Sequence, residues 1–259
     1  MIVITEAQPA ALVTHELAFD AVRRAFIAAI GLNAFSFPVV IAHASDPQNR
    51  FTVKMAAGTD LAGLKVGAYF PTNDARGLPR HASTILLIDQ PSGRIGAVVE
   101  GSTLNCYRTA AADAVATYAL ARRDAAVLTV FGTGHQAGYE AEAIARIRPL
   151  SRIWVVGRDP SRAAAFAKTL QGRGLPAANR EPEAAVRAAD IIVTATTATA
   201  PFVTRIGCSR VPTSRPWGRI RRASRNCPRY FSPAHGYSVI CRINRPASAS
   251  FSMWPPAPS

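Results

Sequence analysis

The sequence predicts an α/β fold, with a doubly wound parallel sheet preceded by an α+β domain. Three observations predict it. Residues 126–131 are a short apolar, β-branched run that ends directly in Gly132-Thr-Gly-His-Gln-Ala137. Two further apolar runs, 152–157 and 189–195, alternate with helix-forming stretches. Residues 37–100 carry short strand-like segments in succession, broken by turn residues. Alternating β and α reads as a parallel sheet covered on both faces, whereas successive short strands read as an antiparallel one.

In chain order, Thr14 is placed to cap a helix from His15 to Ile30. Phe19, Val22, Phe26 and Ile30 fall on one stripe at helical spacing, with Ala25 and Ala29 beside them. Strands are expected over 37–42, 51–56, 64–70, 83–89 and 95–100, with a tight turn over 89–93 joining the last two. In the third of these, Leu64, Val66, Ala68 and Phe70 face one way, and Lys65, Gly67 and Tyr69 the other. From pattern alone, Lys65 reads equally as a side chain on a solvated sheet face or as one standing over the room that Gly67 leaves. A long Ala-rich helix follows over 104–121. Arg108 is expected in its first turn, where the helix dipole disfavours a cation, so a guanidinium there points to an anionic ligand.

The stretch around 126–137 is the expected nucleotide site. Gly132 permits a tight turn off the strand, and Gly134 leaves the backbone open to a pyrophosphate. Ala137 is small enough for close packing of helix on strand, and the helix N-terminus offers free N–H groups to phosphate. Gly132, Thr133, Gly134, His135 and Gln136 are therefore candidate cofactor contacts. At the end of the second strand, where a carboxylate would bond a ribose hydroxyl, stand Gly157 and Arg158. A guanidinium favours a 2′-phosphate, so NADP is favoured over NAD. Asp159 follows one residue later and reads either as a helix cap or as the ribose ligand. Thr196, at the end of the third strand, completes the candidate cofactor contacts.

Composition narrows the class. A chain of 259 residues supports one large domain or two modest ones. No apolar run is long enough for a membrane span, and the N-terminal segment lacks the basic head of a signal peptide, so a cytoplasmic protein is expected. Cys106, Cys208, Cys227 and Cys241 have no metal-ligand spacing, so no metal is expected. The net charge of +14 invites a nucleic-acid partner, but its distribution argues against one. Residues 1–203 hold 20 basic and 16 acidic side chains, whereas 204–259 hold 10 Arg and no acid.

Several motifs together resemble the ornithine cyclodeaminase/mu-crystallin family over residues 1–203. They are Gly63-Leu-Lys-Val-Gly-Ala-Tyr-Phe-Pro-Thr-Asn73, Gly77-Leu-Pro79 with His81, and Leu86-Leu-Ile-Asp89. Leu104-Asn-Cys-Tyr-Arg-Thr-Ala-Ala111, Phe131-Gly-Thr-Gly-His-Gln-Ala137 and Val193-Thr-Ala-Thr-Thr197 follow in order. The resemblance implies a substrate and dimerisation domain over 1–118 and a Rossmann nucleotide domain over 119–203. It also implies nicotinamide chemistry at the α-carbon of an amino or imino acid, either cyclodeamination with hydride returned or net imine reduction. By the same resemblance, Lys65 and Arg108 hold or polarise the substrate carboxylate and imine, with Lys65 catalytic. Ser83, Thr84, Thr109 and Gln136 lie near the cofactor, and the protein is a homodimer. Two departures stand out. After Phe37 and Pro38, where such proteins often carry a carboxylate-binding Arg, this chain has Val39, Val40 and Ile41, with Arg50 a poorly spaced substitute. The acidic Gly-x-Asp segment that the family carries beyond residue 203 has no counterpart.

Residues 204–259 contain no Asp, Glu or Lys, but 10 Arg, 8 Pro and 9 Ser, and only 236–243 has the pattern of a strand. Three readings compete for this Arg/Pro/Ser-rich tail: a basic arm for an acidic partner, a replacement domain, or the product of a reading-frame shift. The third best explains why the acids and the family pattern stop together. It leaves open a non-catalytic NAD(P)H-binding protein that lacks the acid/base aspartate.

Overall fold

The computed structural model of the chain describes residues 1–31, 34–196, 230–231 and 237–241. Two compact units share these residues: Met1–Ala116 with Gly134–Ile147, and Thr117–Thr133 with the chain from Arg148 onward.

The first unit is built from β1 (Ile2–Ile4), α1 (Ala7–Leu12), α2 (His15–Ile30), β2 (Ala34–Ser36), β3 (Val40–His43), β4 (Arg50–Gly58) and β5 (Ala62–Tyr69). A 3-10 turn (Pro71–Arg76), β6 (His81–Asp89), β7 (Arg94–Glu100) and α3 (Ser102–Leu120, its last turn in the second unit) follow. Its sheet has seven strands in the order β1-β7-β6-β5-β4-β2, with β3 also paired to β4. All pairings are antiparallel except β1 with β7. Hairpin connection explains this, because short turns such as that closed by Gly93, with φ 69°, can only reverse the chain. The unit also contains a helix C-terminal to the glycine turn, α4 (His135–Ala145), which the sequence expectation counts with the nucleotide domain. It packs on α3 through Ala110, Ala114 and Ala143, with Phe19, Tyr139 and Ile147 around them. Alanines at these positions let the two helices approach closely.

The second unit holds β8 (Val127–Phe131), β9 (Arg152–Val156), α5 (Pro160–Gly172), β10 (Ala177–Asn179), α6 (Pro182–Ala188) and β11 (Ile191–Ala195), then β12 (Tyr230–Phe231) and β13 (Tyr237–Cys241). The strand order is β10-β9-β8-β11-β13-β12. The first four are parallel, while β13 runs antiparallel to β11 and β12 antiparallel to β13. Leu128, Val130, Ile153, Val155, Ile191 and Val193 are fully buried, as expected of parallel strands covered on both faces. On the opposite side of the strands, Phe131, Val156 and Ile192 pack on Ala185, Val186 and Ala189. Charges here are satisfied. Asp190 accepts from the backbone of Ala126 and Val127 and from Arg122. Buried Arg148 donates to the carbonyls of Thr117, Tyr118, Ala121 and Arg122 at the C-terminal end of α3, where a cation meets the negative end of the helix dipole.

The structure corrects several local expectations. α2 has the expected bounds and Thr14 caps it, accepting from Leu17 N, but Ile30 is 69% exposed, and the fully buried positions are His15 and Ala18. The stripe therefore ends at Phe26. α3 starts at Ser102, so Arg108 is its seventh residue rather than part of its first turn. The cause is Glu6, whose carboxylate accepts from Ser102 N and Thr103 N and so caps the helix from a distant segment. The dipole argument for Arg108 lapses accordingly. Asp159 caps α5, its Oδ1 accepting from Ser161 N and Arg162 N, as the first of its two readings expects. β1, α1, β2, β10, α6 and β12 have no counterpart among the expected elements. Within the tail, β13 occupies the one stretch with strand pattern. Thr197 and the parts of the tail other than β12 and β13 lie outside the described residues.

Candidate functional site

The chemistry-bearing side chains of the first unit meet on one face of its sheet. β4 and β5 pair so that Lys54 lies opposite Lys65, Thr52 opposite Gly67 and Arg50 opposite Tyr69. β6 adds Ile85 beside Lys65, Ser83 beside Gly67 and His81 beside Tyr69. Directly paired residues in antiparallel strands project to the same side. The face therefore carries Arg50 and Lys54 from β4 and Lys65 from β5, with Gly67 leaving room beside Lys65.

Lys65 is not on a solvated face. It is more than half buried, and its ammonium donates to Asn105 Oδ1 of α3 at 2.6 Å. The same oxygen accepts from Arg108 Nε at 3.1 Å and Nη2 at 2.8 Å. One amide oxygen thus gathers an ammonium and a guanidinium, the pair expected to hold a substrate carboxylate and imine. Burial, then the charges of Arg108 and Lys54, lowers the Lys65 pKa to about 7. Burial, then Arg108, lowers that of Lys54 to about 8. Every charge acting on either lysine is another cation. Ser83 shares this face, is 6% exposed, and its Oγ has no hydrogen-bond partner. Arg50 stacks over the Tyr69 ring at 5.3 Å, and that ring lies 4.8 Å from His81.

Behind Arg108, in the same unit, α3 and α4 bury two carboxyls. Asp113 is 6% exposed and Glu140 fully buried, and they interact directly. Burial first, and for Glu140 then the Asp113 charge, pushes both pKa values up, so near neutral pH the pair retains a proton. Gln136 Nε2 donates to Glu140 Oε1 at 2.9 Å and to Cys106 O at 3.1 Å. Its amide nitrogen is thus committed to joining α4 to α3. Thr109 is buried and returns its hydroxyl to Asn105 O. Thr84 is half-buried on β6. Burial pushes the Cys106 thiol up to about 11, so it is no ready nucleophile.

The glycine turn fits a dinucleotide phosphate. Gly132 adopts φ 120°, and a Cβ there would meet Ala195 O at 2.3 Å, so only glycine fits. A Cβ on Gly134, by contrast, would meet nothing within 4 Å. Gly134 is the N-cap of α4 and supplies no side-chain cap, which leaves the first N–H groups of the helix open to a ligand. A Cβ on Gly157 would press on Thr133 Cγ2 at 3.1 Å. Arg158 is exposed at the end of β9, His135 is exposed at the start of α4, and Thr196 closes β11. Among the described residues no cluster of His, Cys, Asp and Glu is arranged to hold a metal ion.

The sequence model of the ornithine cyclodeaminase/mu-crystallin family matches residues 9–206. The chain belongs to that family. It is 34% identical over 206 residues to the iminosuccinate reductase of Paracoccus denitrificans, a match spanning 78% of this chain and 64% of that protein. It is 39% identical over 154 residues to a Δ1-pyrroline-2-carboxylate reductase of Bacillus cereus, spanning 59% and 47%. The solved Thermococcus litoralis Δ1-pyrroline-2-carboxylate reductase, in complex with NADH and L-proline, superposes with a TM-score of 0.73 at 28% identity. That superposition covers 78% of this chain and 64% of that one. The chain therefore spans less than two thirds of these relatives.

Lys65 and Arg108, to which the resemblance gives a joint role, meet on Asn105 Oδ1. Sequence reasoning missed Lys54, Asn105 and the Asp113–Glu140 pair. Asn105 was within reach, three residues before Arg108 on one helix. Glu140 likewise stands four after Gln136. Lys54 depends on the β4–β5 register, for which the sequence has no local signal.

Proposed function

We propose that this chain acts on α-imino acids as a nicotinamide-dependent reductase. The observation that carries this reading is the shared contact of Lys65 and Arg108 on Asn105, in surroundings that supply Lys65 with no counter-charge. Arg108 binds the α-carboxylate, for which a planar fork of donors is suited. Lys65 in its ammonium form donates a proton to the nitrogen as the C=N π pair withdraws onto it. The nicotinamide cofactor supplies the hydride that the α-carbon accepts. Its pyrophosphate would be held by the open N–H groups at Gly134, His135 and Gln136, with Gly132 and Thr133 shaping the turn. Gly157, Ser83, Thr84, Thr109 and Thr196 are the remaining proposed contacts. Arg158 is exposed beyond the end of β9, and Asp159 Oδ1 is engaged in capping α5, so the guanidinium is the group best placed for a 2′-phosphate. We therefore favour NADP over NAD.

The relatives named as reductases support net reduction over cyclodeamination, which would return the hydride and release ammonia. The second reading is a protein that binds NAD(P)H without turnover. It is favoured by the absence of any Asp or Glu from residues 204–259, where the family resemblance places an acid/base aspartate. A homodimer is proposed from the opposite face of the seven-stranded sheet. There Phe35, Val40, Phe51 and Met55 remain 60%, 54%, 37% and 39% exposed. Sedimentation at the monomer mass across micromolar concentrations would refute it.

Titration with NADPH and NADH, followed by nicotinamide fluorescence, tests the reading together with NAD(P)H consumption on Δ1-pyrroline-2-carboxylate. The reading requires tighter binding of NADPH, a preference reduced about tenfold in Arg158→Ala, and imine-dependent oxidation of the cofactor. Binding without oxidation on any imino acid would establish the second reading, and no binding of either nucleotide would end both.

A further inference from the structure

The cationic face holds more positive charge than a monocarboxylic imino acid needs. Arg108 suffices for one carboxylate and Lys65 for the nitrogen, which leaves Lys54 without a role. Lys54 is half-buried, stands directly opposite Lys65 across the β4–β5 pair, and contacts no acid among the described residues. A half-buried lysine beside two other cations is unfavourable unless a ligand compensates it. Directly paired side chains on one sheet face stand about 5 Å apart at Cβ. A ligand whose nitrogen lies at Lys65 therefore has its side-chain substituent within reach of Lys54. The buried, unpartnered Ser83 Oγ lies on the same face, beside Gly67, so Lys54 is not the one uncompensated polar group there.

We propose that the site takes an α-imino acid bearing a second, side-chain carboxylate, and that Lys54 is the residue that binds this distal carboxylate. Arg50 is the other cation on the face, but it stands four residues along the strand, about 13 Å from Lys54. Its guanidinium also already stacks on Tyr69. The charge balance is then complete: two carboxylates meet Arg108 and Lys54, and Lys65 is left to the nitrogen. The proposal rests on the imino-acid reading above, and it names the substrate class for that same site. An apolar ring substrate would place no group against Lys54.

The test is calorimetric titration of the full chain, with and without NADPH, using L-aspartate and L-alanine, which differ in the distal carboxylate. L-aspartate should bind at least tenfold more tightly. In Lys54→Met that ratio should fall to within threefold, and in Lys54→Arg it should be retained. Thermal melts of both variants confirm that they are folded. A wild-type ratio below threefold, a ratio that survives in Lys54→Met, or no binding of either amino acid would overturn the proposal. Imine turnover is read separately. Oxidation of NAD(P)H by a monocarboxylic imine alongside equal amino-acid affinities would refute the distal site and leave the reductase reading intact. A Lys54-dependent preference without turnover would do the opposite.

Discussion

The two sheets of this protein treat charge in opposite ways. Among the described residues of the parallel unit the buried charges are answered: Asp190 by two backbone amides and Arg122, Arg148 by the carbonyls that end α3. The antiparallel unit leaves Lys54 and Lys65 with no charge but other cations acting on them, Ser83 Oγ without a partner, and Asp113 against Glu140. The first pattern is that of a scaffold whose polar groups cost nothing. The second stores unfavourable electrostatics at one face, which a bound anion would relieve. Departures from local satisfaction concentrate where ligands act.

The largest effect should come from breaking the scaffold. In Gly132→Val a side chain must occupy a position 2.3 Å from Ala195 O at φ 120°. Strain and overpacking together should cost about 4 kcal/mol or more, read by thermal or urea denaturation. A variant as stable as the parent would show that the turn is not held against β11.

A smaller effect, of the opposite sign, is expected at Lys65. Its folded pKa of about 7 lies below the ordinary 10.5, so the unfolded chain binds the extra proton between those values. Stability should therefore rise with pH across that window, and below about 7 the whole penalty is present. Lys65→Met should be more stable than the parent at pH 6 by about 2 kcal/mol, with the gap closing towards pH 10. The same change should lower imine reduction at least 100-fold. In the parent, kcat/KM should fall as pH rises through the Lys65 pKa, because the donor is the ammonium. Destabilisation by Lys65→Met at pH 6 would contradict the account of an uncompensated cation.

The smallest effect concerns the carboxyl pair. Their folded pKa values are raised, so stability should be greatest at low pH and decline as pH rises above the ordinary 4.5 of Glu140. Glu140→Gln keeps an acceptor for Gln136 and supplies Asp113 with a donor. It should remove part of that decline, by about 1 kcal/mol at pH 8, in melts across pH 5–8. An unchanged pH slope would mean that another group carries it.

How much could be read from the chain follows the same division. The parallel sheet was legible because each strand, turn and helix is contiguous. The apolar runs at 126–131, 152–157 and 189–195 coincide with β8, β9 and β11 to within a few residues. The five antiparallel strands were also found as elements, but their partners were not. α3 began earlier than its own sequence suggested because its cap, Glu6, comes from the other end of the unit. The apolar stripe of α2 misplaced Ile30 because exposure there depends on what lies over the helix, not on its period.

By itself, then, the sequence determined the fold class and the glycine turn with its helix. These are local patterns or motifs, written into contiguous residues. Only the tertiary structure decided that Lys54 stands opposite Lys65, that Asn105 gathers Lys65 and Arg108, and that Asp113 meets Glu140. Each of these depends on strand register or helix packing between segments distant in the chain. A shift of one residue in β4 against β5 would send Lys54 to the other face.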